Sequence, residues 1–278
     1  MKESPLIITV APNGARKNKN DHAALPITPD EIAIEAKACL NAGAAMLHLH
    51  VRDENDAHTL DVDAYRKAID AVRNAVGDEM IIQVTSEAVG IYTPDQQIEM
   101  MHQLRPEAAS VALKELTADG EEKAATFYHW ADDNNIALQH ILYTPDEVVR
   151  LAYMTHNNMV PHKNLSVLYV LGRYGDGVSK PDDLPPFIDA AQKSGLKPKL
   201  WSVCAFGPNE HEIMREAMKL GGHVRVGFEN NLYLNNNTLS PDNASLVSQV
   251  ADSASLLYRS VYRGEQARTI MGVESKAN

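Results

Sequence analysis

Residues 28–53 read TPDEIAIEAKACLNAGAAMLHLHVRD, and they contain a helix signal followed by a strand signal. Thr28 can cap a helix, Pro29 suits its first position, and Glu31 completes a capping box. From residue 46 the pattern alternates with a period of two, so polar and apolar side chains fall on opposite faces. The stretch predicts one helix leading into one strand, and the same helix start recurs as TPDQ at 93 and TPDE at 144.

The strand signal also recurs along the chain. Runs of strand character begin at Leu6, Ala45, Met80, Ala108, Asn135, Leu165, Lys199 and His223. Their spacing of about 25 to 40 residues fits a strand, a crossover helix and two loops. We therefore expect the α/β class and a (β/α)₈ TIM barrel, with residues 1–278 as one domain and helices at about 242–272 packed on the barrel. A doubly wound sheet is less favoured, because APNGAR rather than GxGxxG follows the first strand.

Composition excludes several classes of function. The net charge of −11 and the pI near 5.4 argue against nucleic-acid binding, which needs clustered Lys and Arg. Cys39 and Cys204 lie far apart outside any CxxC spacing, so no disulfide framework or zinc knuckle is expected. No signal peptide and no apolar run of membrane-span length is evident. These features predict a soluble cytoplasmic protein.

The alternating stretch places His48 and His50 on the inner face of the second strand, at its C-terminal end. The same parity turns Arg225 and Glu229 inward on the eighth strand. Only the first strand separates these two strands in a closed barrel, so two imidazoles and one carboxylate could close on one ion, as in a catalytic zinc site. The alternative is that an HxH pair consists of two ordinary polar residues. Of the 11 histidines, only these two are interpreted as ligands.

Strands three and four present further polar side chains to the barrel interior. Thr85 and Glu87 face inward on the third strand, and Thr85 could hydrogen-bond an anion. Ser110 and Lys114 face inward on the fourth, where a buried lysine requires an anionic partner. That partner is either Glu87 or a substrate carboxylate.

The fifth strand follows the same parity. It directs Ile141 and Tyr143 inward and leaves His140 facing the helices. This assignment makes His140 a structural residue rather than a ligand.

Five ordered motifs resemble the β-keto acid cleavage enzymes, a family of zinc-dependent barrels. They are LPITPDEIAIEAKACLNAGA at 25–44, HLHVRD at 48–53, RPEAAS at 105–110, VLGRYGDG at 170–177 and GGHVRVGFENN at 221–231. The resemblance implies exchange of acyl groups between a β-keto acid and acetyl-CoA, yielding acetoacetate and a new acyl-CoA through a zinc-stabilised enolate. It also implies a homotetramer.

The resemblance assigns roles residue by residue. His48, His50 and Glu229 match the zinc ligands. The substrate carboxylate would be held by the groups that match Thr85, the backbone around Ala88, and Ser110. Arg225 matches the arginine of a catalytic Arg and Asp pair.

Two departures from the family pattern concern catalysis and specificity. Asn230 stands where the family often has the Asp, and an amide cannot act as a general base. Either Glu87 or the substrate's own carboxylate takes the proton, or Asn230 only orients Arg225. Arg16 and Ile141 occupy positions where members acting on 5-amino-3-oxohexanoate have glutamates that bind the ammonium. Together with Lys114, Arg16 predicts an anionic or polar substrate tail, as in 3-oxoadipate or 3-oxoglutarate.

Two other functions fit parts of the pattern. A zinc-dependent hydrolase also uses HxH in a barrel, although typically on the first strand and with further histidines. A metal-binding or regulatory barrel would hold zinc without turnover. The loops GRYGDG at 172–177 and FGPNEHE at 206–212 are candidates for the CoA site, with ordinary surface loops as the alternative.

Overall fold

A computed structural model describes residues 5–172 and 178–274 of the chain. Its strands form one closed parallel barrel in sequence order. They are β1 (Ile8–Val10), β2 (Met46–Leu49), β3 (Ile81–Thr85), β4 (Ala108–Ala112), β5 (Ala137–Leu142), β6 (Ser166–Leu171), β7 (Leu200–Ala205) and β8 (His223–Val226). The predicted (β/α)₈ barrel is confirmed, because β1 pairs with both β2 and β8 and thereby closes the ring.

Helices surround the strands. They are α1 (Pro29–Ala42), α2 (Val62–Val76), α3 (Pro94–Leu104), α4 (Leu113–Leu116), α5 (Glu121–Asp133), α6 (Pro145–His156), α7 (Pro185–Ser194), α8 (Glu210–Lys219), α9 (Asn243–Leu256) and α10 (Gly264–Met271), with 3₁₀ turns at Gly77–Glu79 and Pro181–Asp183. None of the described helices is long and apolar enough to cross a membrane.

The predicted helix caps set the βα boundaries. Thr28 and Thr93 each form a complete capping box with the residue three positions on. The third box is incomplete: Thr144 accepts from the Glu147 amide, but Glu147 Oε2 accepts from the Tyr143 amide at 2.6 Å instead of the Thr144 amide. All three helices nevertheless begin at the proline that the sequence indicated.

The C-terminal helices cover two different parts of the barrel. α9 packs against α1 and α8, whereas α10 closes the N-terminal end. There Ala267 and Met271 pack against Ile7, which directly precedes β1, and against Met46 and Ile81, the first residues of β2 and β3. α10 therefore forms the floor of the barrel, opposite the end where the strands terminate.

Two strands end earlier than their alternating patterns indicated. β4 stops at Ala112, and the next four residues form α4, so the prediction that Lys114 points inward from a strand is wrong. Leu113 and Leu116 are both buried, and their spacing of three fits one helical turn rather than a strand.

β8 likewise stops at Val226, and Gly227 begins a turn at φ 140°. A Cβ on Gly227 would lie 2.3 Å from the Ala11 carbonyl oxygen, so only glycine fits this close approach. Glu229 therefore reaches the barrel interior from a turn, with its amide donating to Ala11 O at 3.1 Å.

Candidate metal centre and active site

Three buried ligand atoms converge at the C-terminal end of the barrel. The Nε2 atoms of His48 and His50 lie 3.1 Å apart, and Glu229 Oε2 lies 3.5 Å and 3.3 Å from them. Each side chain offers one electron-pair donor to the same point, and all three residues are buried. Two imidazoles and one carboxylate form the donor set of catalytic zinc sites, so these residues fit a divalent metal ion.

The surroundings of His48 keep its ligand nitrogen available. Gln83 Oε1 lies 2.9 Å from His48 Nδ1, so this nitrogen carries the proton and Nε2 keeps its lone pair. Gln83 is in turn held by Gln139, whose Oε1 lies 3.3 Å from Gln83 Nε2. Burial, reinforced by the charge of Arg225, lowers the pKa of His48 to about 3, so the imidazole is neutral near pH 7.

Arg225 and Lys17 hold Glu229 in place. Arg225 Nη2 donates to Glu229 Oε1 at 2.9 Å, which leaves Oε2 directed at the imidazoles. Burial opposes ionisation of this carboxyl, but the guanidinium keeps the pKa of Glu229 well below its ordinary value. Lys17 Nζ donates to the Glu229 backbone carbonyl at 2.7 Å, so a cation also fixes the turn.

A cavity of about 280 Å³ opens beside these three side chains. Its wall includes His48, Glu229 and Arg225 together with residues that follow most of the other strands. Its apolar part includes Ile141, Val170 and Phe206. Residues distant in sequence therefore meet at the C-terminal face, where barrel enzymes carry their active sites.

The residues expected to bind a substrate carboxylate lie in different settings. Thr85 and Ser110 both line the cavity, and Ser110 Oγ lies 3.4 Å from His48 Nδ1. The Ala88 amide instead donates to Glu115 Oε2 at 3.0 Å. The hydroxyls thus face the cavity, whereas the Ala88 N–H is already engaged by a side chain.

The charged residues at the cavity have both signs. Arg16 and Lys114 are exposed and line it near solvent, and Lys114 Nζ lies 3.7 Å from the centroid of the Tyr143 ring. Glu87 also lines the cavity, with Oε2 3.9 Å from His50 Nδ1. Burial raises the pKa of Glu87 above its ordinary value.

Asn230 is buried next to Glu229 in sequence but does not pair with Arg225. Its backbone carbonyl accepts from the Gly207 amide at 3.1 Å. Within residues 5–172 and 178–274, neither side-chain atom of Asn230 has a hydrogen-bond partner, and Arg225 Nη2 is directed to Cys204 Sγ and Glu229. The arginine partner expected at position 230 is therefore supplied by Glu229.

Sequence reasoning missed several residues that support the site. The inward parity of Gln83 was visible, but its contact with His48 follows from the pairing of β2 with β3. Lys17 and Glu115 lie outside the strands, where no parity applies. His140 faces α5 as expected, with its ring 5.0 Å from that of Tyr128. Of the loop predicted at 172–177, residues 173–177 lie outside the described part of the chain.

Comparison with known sequences identifies a family. A sequence model described as "beta-keto acid cleavage enzyme" matches residues 5–273. The 3-keto-5-aminohexanoate cleavage enzyme of Acetoanaerobium sticklandii is 30% identical over an aligned length of 278 positions, covering 96% of this chain and 98% of that protein. The 3-oxoadipate:acetyl-CoA acetyltransferase of Cupriavidus necator is 28% identical, covering 98% of this chain and 96% of that one.

Solved structures show the same fold at lower identity. ObcA in complex with oxaloacetate superposes with a TM-score of 0.72 at 15% identity, covering 91% of this chain and 68% of ObcA. A type I 3-dehydroquinate dehydratase from Clostridium difficile superposes with a TM-score of 0.62 at 12% identity, covering 92% and 93% of the two chains. At these identities the likeness concerns the barrel alone.

Proposed function

This chain belongs to the β-keto acid cleavage enzyme family, and from that premise we propose that it is a zinc-dependent acyltransferase. The reaction is R–CO–CH₂–COO⁻ plus CH₃–CO–SCoA giving R–CO–SCoA plus CH₃–CO–CH₂–COO⁻, so the products are a new acyl-CoA and acetoacetate. The observation that supports it is the convergence of His48, His50 and Glu229 on one point of the cavity wall. The relative from Cupriavidus necator is named for acyl transfer with acetyl-CoA, in agreement with this assignment.

The bond changes define what the site must do. A base removes a proton from C2 of the β-keto acid, and the carbanion attacks the thioester carbonyl and releases the CoA thiolate. The thiolate then attacks the original keto carbon, the C2–C3 bond breaks, and protonation of the departing carbon gives acetoacetate. A bound zinc ion would supply Lewis-acid polarisation of the keto group.

The chain's own residues carry the remaining roles. Thr85 and Ser110 present hydroxyls that would hold the carboxylate, and Arg225 would stay protonated beside Glu229 and fix its orientation. Asn230 cannot accept the proton, because its side chain is an amide. Glu87 is the carboxylate that we assign to this transfer, since it lines the cavity and faces His50.

Substrate choice would follow from the charges around the cavity. Arg16 and Lys114 are exposed cations at its edge, and the wall has the apolar Ile141 where an ammonium-binding member has a glutamate. Hydrogen bonds and ion pairs with cationic side chains favour a carboxylate or another polar acceptor. We therefore propose an anionic or polar tail, as in 3-oxoadipate or 3-oxoglutarate.

Acetoacetate formation tests the proposal directly. Zinc-loaded protein is given acetyl-CoA and one of 3-oxoadipate, 3-oxoglutarate, 5-amino-3-oxohexanoate or an apolar 3-oxo acid, with and without a chelator. We expect chelator-sensitive acetoacetate and the highest kcat/KM with a dicarboxylate. Preference for the amine or the apolar acid would refute the tail assignment only, whereas substrate consumption without acetyl-CoA would indicate the zinc-dependent hydrolase instead.

The same assay tests the roles of Arg16 and Glu87. Arg16→Glu should lower kcat/KM for the dicarboxylate and raise it relatively for the amine, whereas Lys193→Glu on the exposed side of α7 should change neither. Glu87→Gln should lower kcat and leave the zinc content unchanged. The homotetramer and the cytoplasmic location stay predictions, and light scattering of the purified chain tests the first.

A further inference from the structure

The cavity beside the metal ligands cannot hold both substrates entirely. Sites that enclose small ligands measure about 300 to 1,000 Å³. This cavity is about 280 Å³ and must receive the β-keto acid together with the thioester end of acetyl-CoA. The phosphate-bearing adenosine part of the co-substrate must therefore lie outside it.

A second depression adjoins the cavity at the same end of the barrel. We call it the loop cleft; it measures about 660 Å³ and lies between the loops that follow β1, β2 and β3. Arg16 and Val89 line both the cavity and the loop cleft, so the two spaces meet at these residues. A ligand that emerges from the cavity between Arg16 and Val89 enters the loop cleft directly.

The loop cleft carries positive charge in an otherwise acidic chain. The chain has a net charge of −11, yet the side chains that line the cleft include Arg16, Lys19 and Arg52 with Asp56 as the opposing carboxylate. Arg52 Nη2 donates to the Lys17 carbonyl at 2.9 Å, which fixes the first loop and places the guanidinium at the cleft. Lys19 Nζ lies 2.8 Å from Glu31 and its side chain is 48% exposed, so a phosphate can approach it from solvent.

The remaining lining suits a nucleoside. Ile91 exposes 68% of its surface and gives the cleft an apolar patch, which a planar base can cover. The amides of Asn18, Asn20 and Asn55 supply donors and acceptors for a sugar and a base.

The backbone between the two spaces is strained. Val89 has φ 45°, a left-handed conformation that a β-branched residue rarely adopts. Residues kept in such conformations cluster at ligand sites. Here the strained residue lies where the cavity and the cleft meet.

We propose that the loop cleft binds the phosphorylated adenosine end of acetyl-CoA and that the pantetheine arm passes between Arg16 and Val89. This inference rests on the proposed function, because it takes the co-substrate from there. Lys19 and Arg52 provide the charge for the phosphates, and Ile91 packs against the base.

Calorimetry with CoA and the zinc-loaded protein tests the proposal. Lys19→Glu reverses one charge in the cleft, Ala57→Glu adds a carboxylate to its exposed lining, and Lys193→Glu makes the same charge reversal on α7 as a matched control. Lys19→Glu removes a charge-assisted contact and Ala57→Glu adds a negative charge beside the phosphates, so each cleft variant is expected to raise the Kd for CoA by about tenfold. The control should match the wild type.

A second readout separates phosphate contacts from a general loss of activity. With acetyl-pantetheine, which lacks the phosphates and the adenosine, the cleft variants should have the KM of the wild type. With acetyl-CoA, their KM should rise while kcat stays unchanged. A structural effect would raise the KM for both thioesters, so a rise in KM confined to acetyl-CoA identifies the contacts with its phosphates and adenosine.

Three outcomes would overturn the inference. Wild-type Kd values in both cleft variants would exclude the loop cleft, and so would a rise confined to a further variant, Lys114→Glu, because Lys114 lines the cavity but not the loop cleft. Equal losses with both thioesters would mean a structural effect. Absence of acetoacetate from wild-type protein that still binds CoA in the cleft would instead refute the acyl exchange and leave the cleft assignment standing.

Discussion

Gln83 Oε1 lies 2.9 Å from Nδ1 of His48, on the side of the imidazole that faces away from His50 and Glu229. The Gln83 amide is oriented by Gln139, whose Nε2 lies 3.4 Å from the hydroxyls of Ser166 and Ser202. A hydrogen-bonded row therefore crosses the barrel interior from β6 and β7 to the histidine on β2. Such outer partners set the tautomer of a ligand histidine and the direction of its ring.

Replacing Gln83 should weaken metal binding without removing a ligand. Gln83→Leu leaves His48 Nδ1 without its acceptor, and we expect the zinc affinity to fall by about 10–100-fold. Competition against a chromogenic chelator measures it. Gln103→Leu, on the exposed part of α3, provides the matched control, and equal affinities of the two variants would contradict the role of Gln83.

Gly227 should tolerate no side chain. Gly227→Ala places a Cβ 2.3 Å from the Ala11 carbonyl oxygen, whereas Gly221→Ala, also at positive φ, has nothing within 4 Å. Both variants place an alanine at positive φ, so the difference between their free energies of unfolding measures the clash of the Gly227→Ala methyl group with Ala11. We expect Gly227→Ala to lose at least about 2 kcal/mol more free energy of unfolding in urea, and to lose bound zinc because Glu229 shifts. Similar urea midpoints for Gly227→Ala and Gly221→Ala would show that the turn at Gly227 accommodates the methyl group.

Glu107 should be essential to the barrel floor. Its carboxylate lies 2.7 Å from Arg73 Nη2 and 3.1 Å from Nη1 of the buried Arg268 on α10. Removing the charge leaves the guanidinium of Arg268 with the exposed Asp78, 4.0 Å away, as its remaining carboxylate partner among the described residues. Breaking a buried pair costs about 3–5 kcal/mol, and the contact with Asp78 reduces that cost. Glu107→Gln should therefore lower the Tm strongly and keep the zinc stoichiometry, and the exposed Glu122→Gln should change neither.

Glu210 should make stability fall as the pH rises. Burial raises the pKa of this carboxyl from 4.5 to about 8, although Lys17, Arg225 and the Asn231 amide act against it. The folded pKa exceeds the unfolded one, so the contribution is fully present below pH 4.5 and is lost as the pH rises through 8. Between these limits the slope is at most about 1.4 kcal/mol per pH unit.

Glu210→Gln should flatten that slope. Between pH 5 and pH 8 the urea midpoint of Glu210→Gln should rise relative to that of the wild type, whereas the midpoint of the exposed Glu212→Gln should stay parallel to that of the wild type. Parallel curves for all three proteins would show that Glu210 is ionised in the folded state.

Parity along strands predicted the part of the site that strands carry. His48 and Arg225 lie on β2 and β8, and their inward direction follows from alternation alone. Alternation gives direction but does not say where a strand ends. Lys114 was misplaced for this reason, since α4 begins directly after Ala112. The burial of Leu113 and Leu116, three residues apart, is the signal that a helical turn had begun.

Loop residues could not be placed from the sequence. Lys17 reaches the site from the loop after β1, and Glu115 reaches it from the short helix α4, which replaces the expected end of β4; strand parity describes neither position. The carboxylate of Glu115 accepts from the amide of Ala88. Asn230 was expected beside Arg225, but the turn that Gly227 opens directs Glu229 to the guanidinium instead. Side-chain pairing inside a turn depends on backbone angles that residue types do not specify.

The pairing of β1 with β8 also determines when His48, His50 and Glu229 can meet during synthesis of the chain. The two histidines lie on and directly after β2, whereas the carboxylate follows β8, and only ring closure through β1 brings them together. The ribosome synthesises His48 and His50 long before Glu229, so the growing chain lacks one of the three side chains until almost the whole barrel has been synthesised. A metal ion bound by the three side chains would stabilise the closed barrel relative to the opened one, so it would stabilise the completed fold rather than start folding.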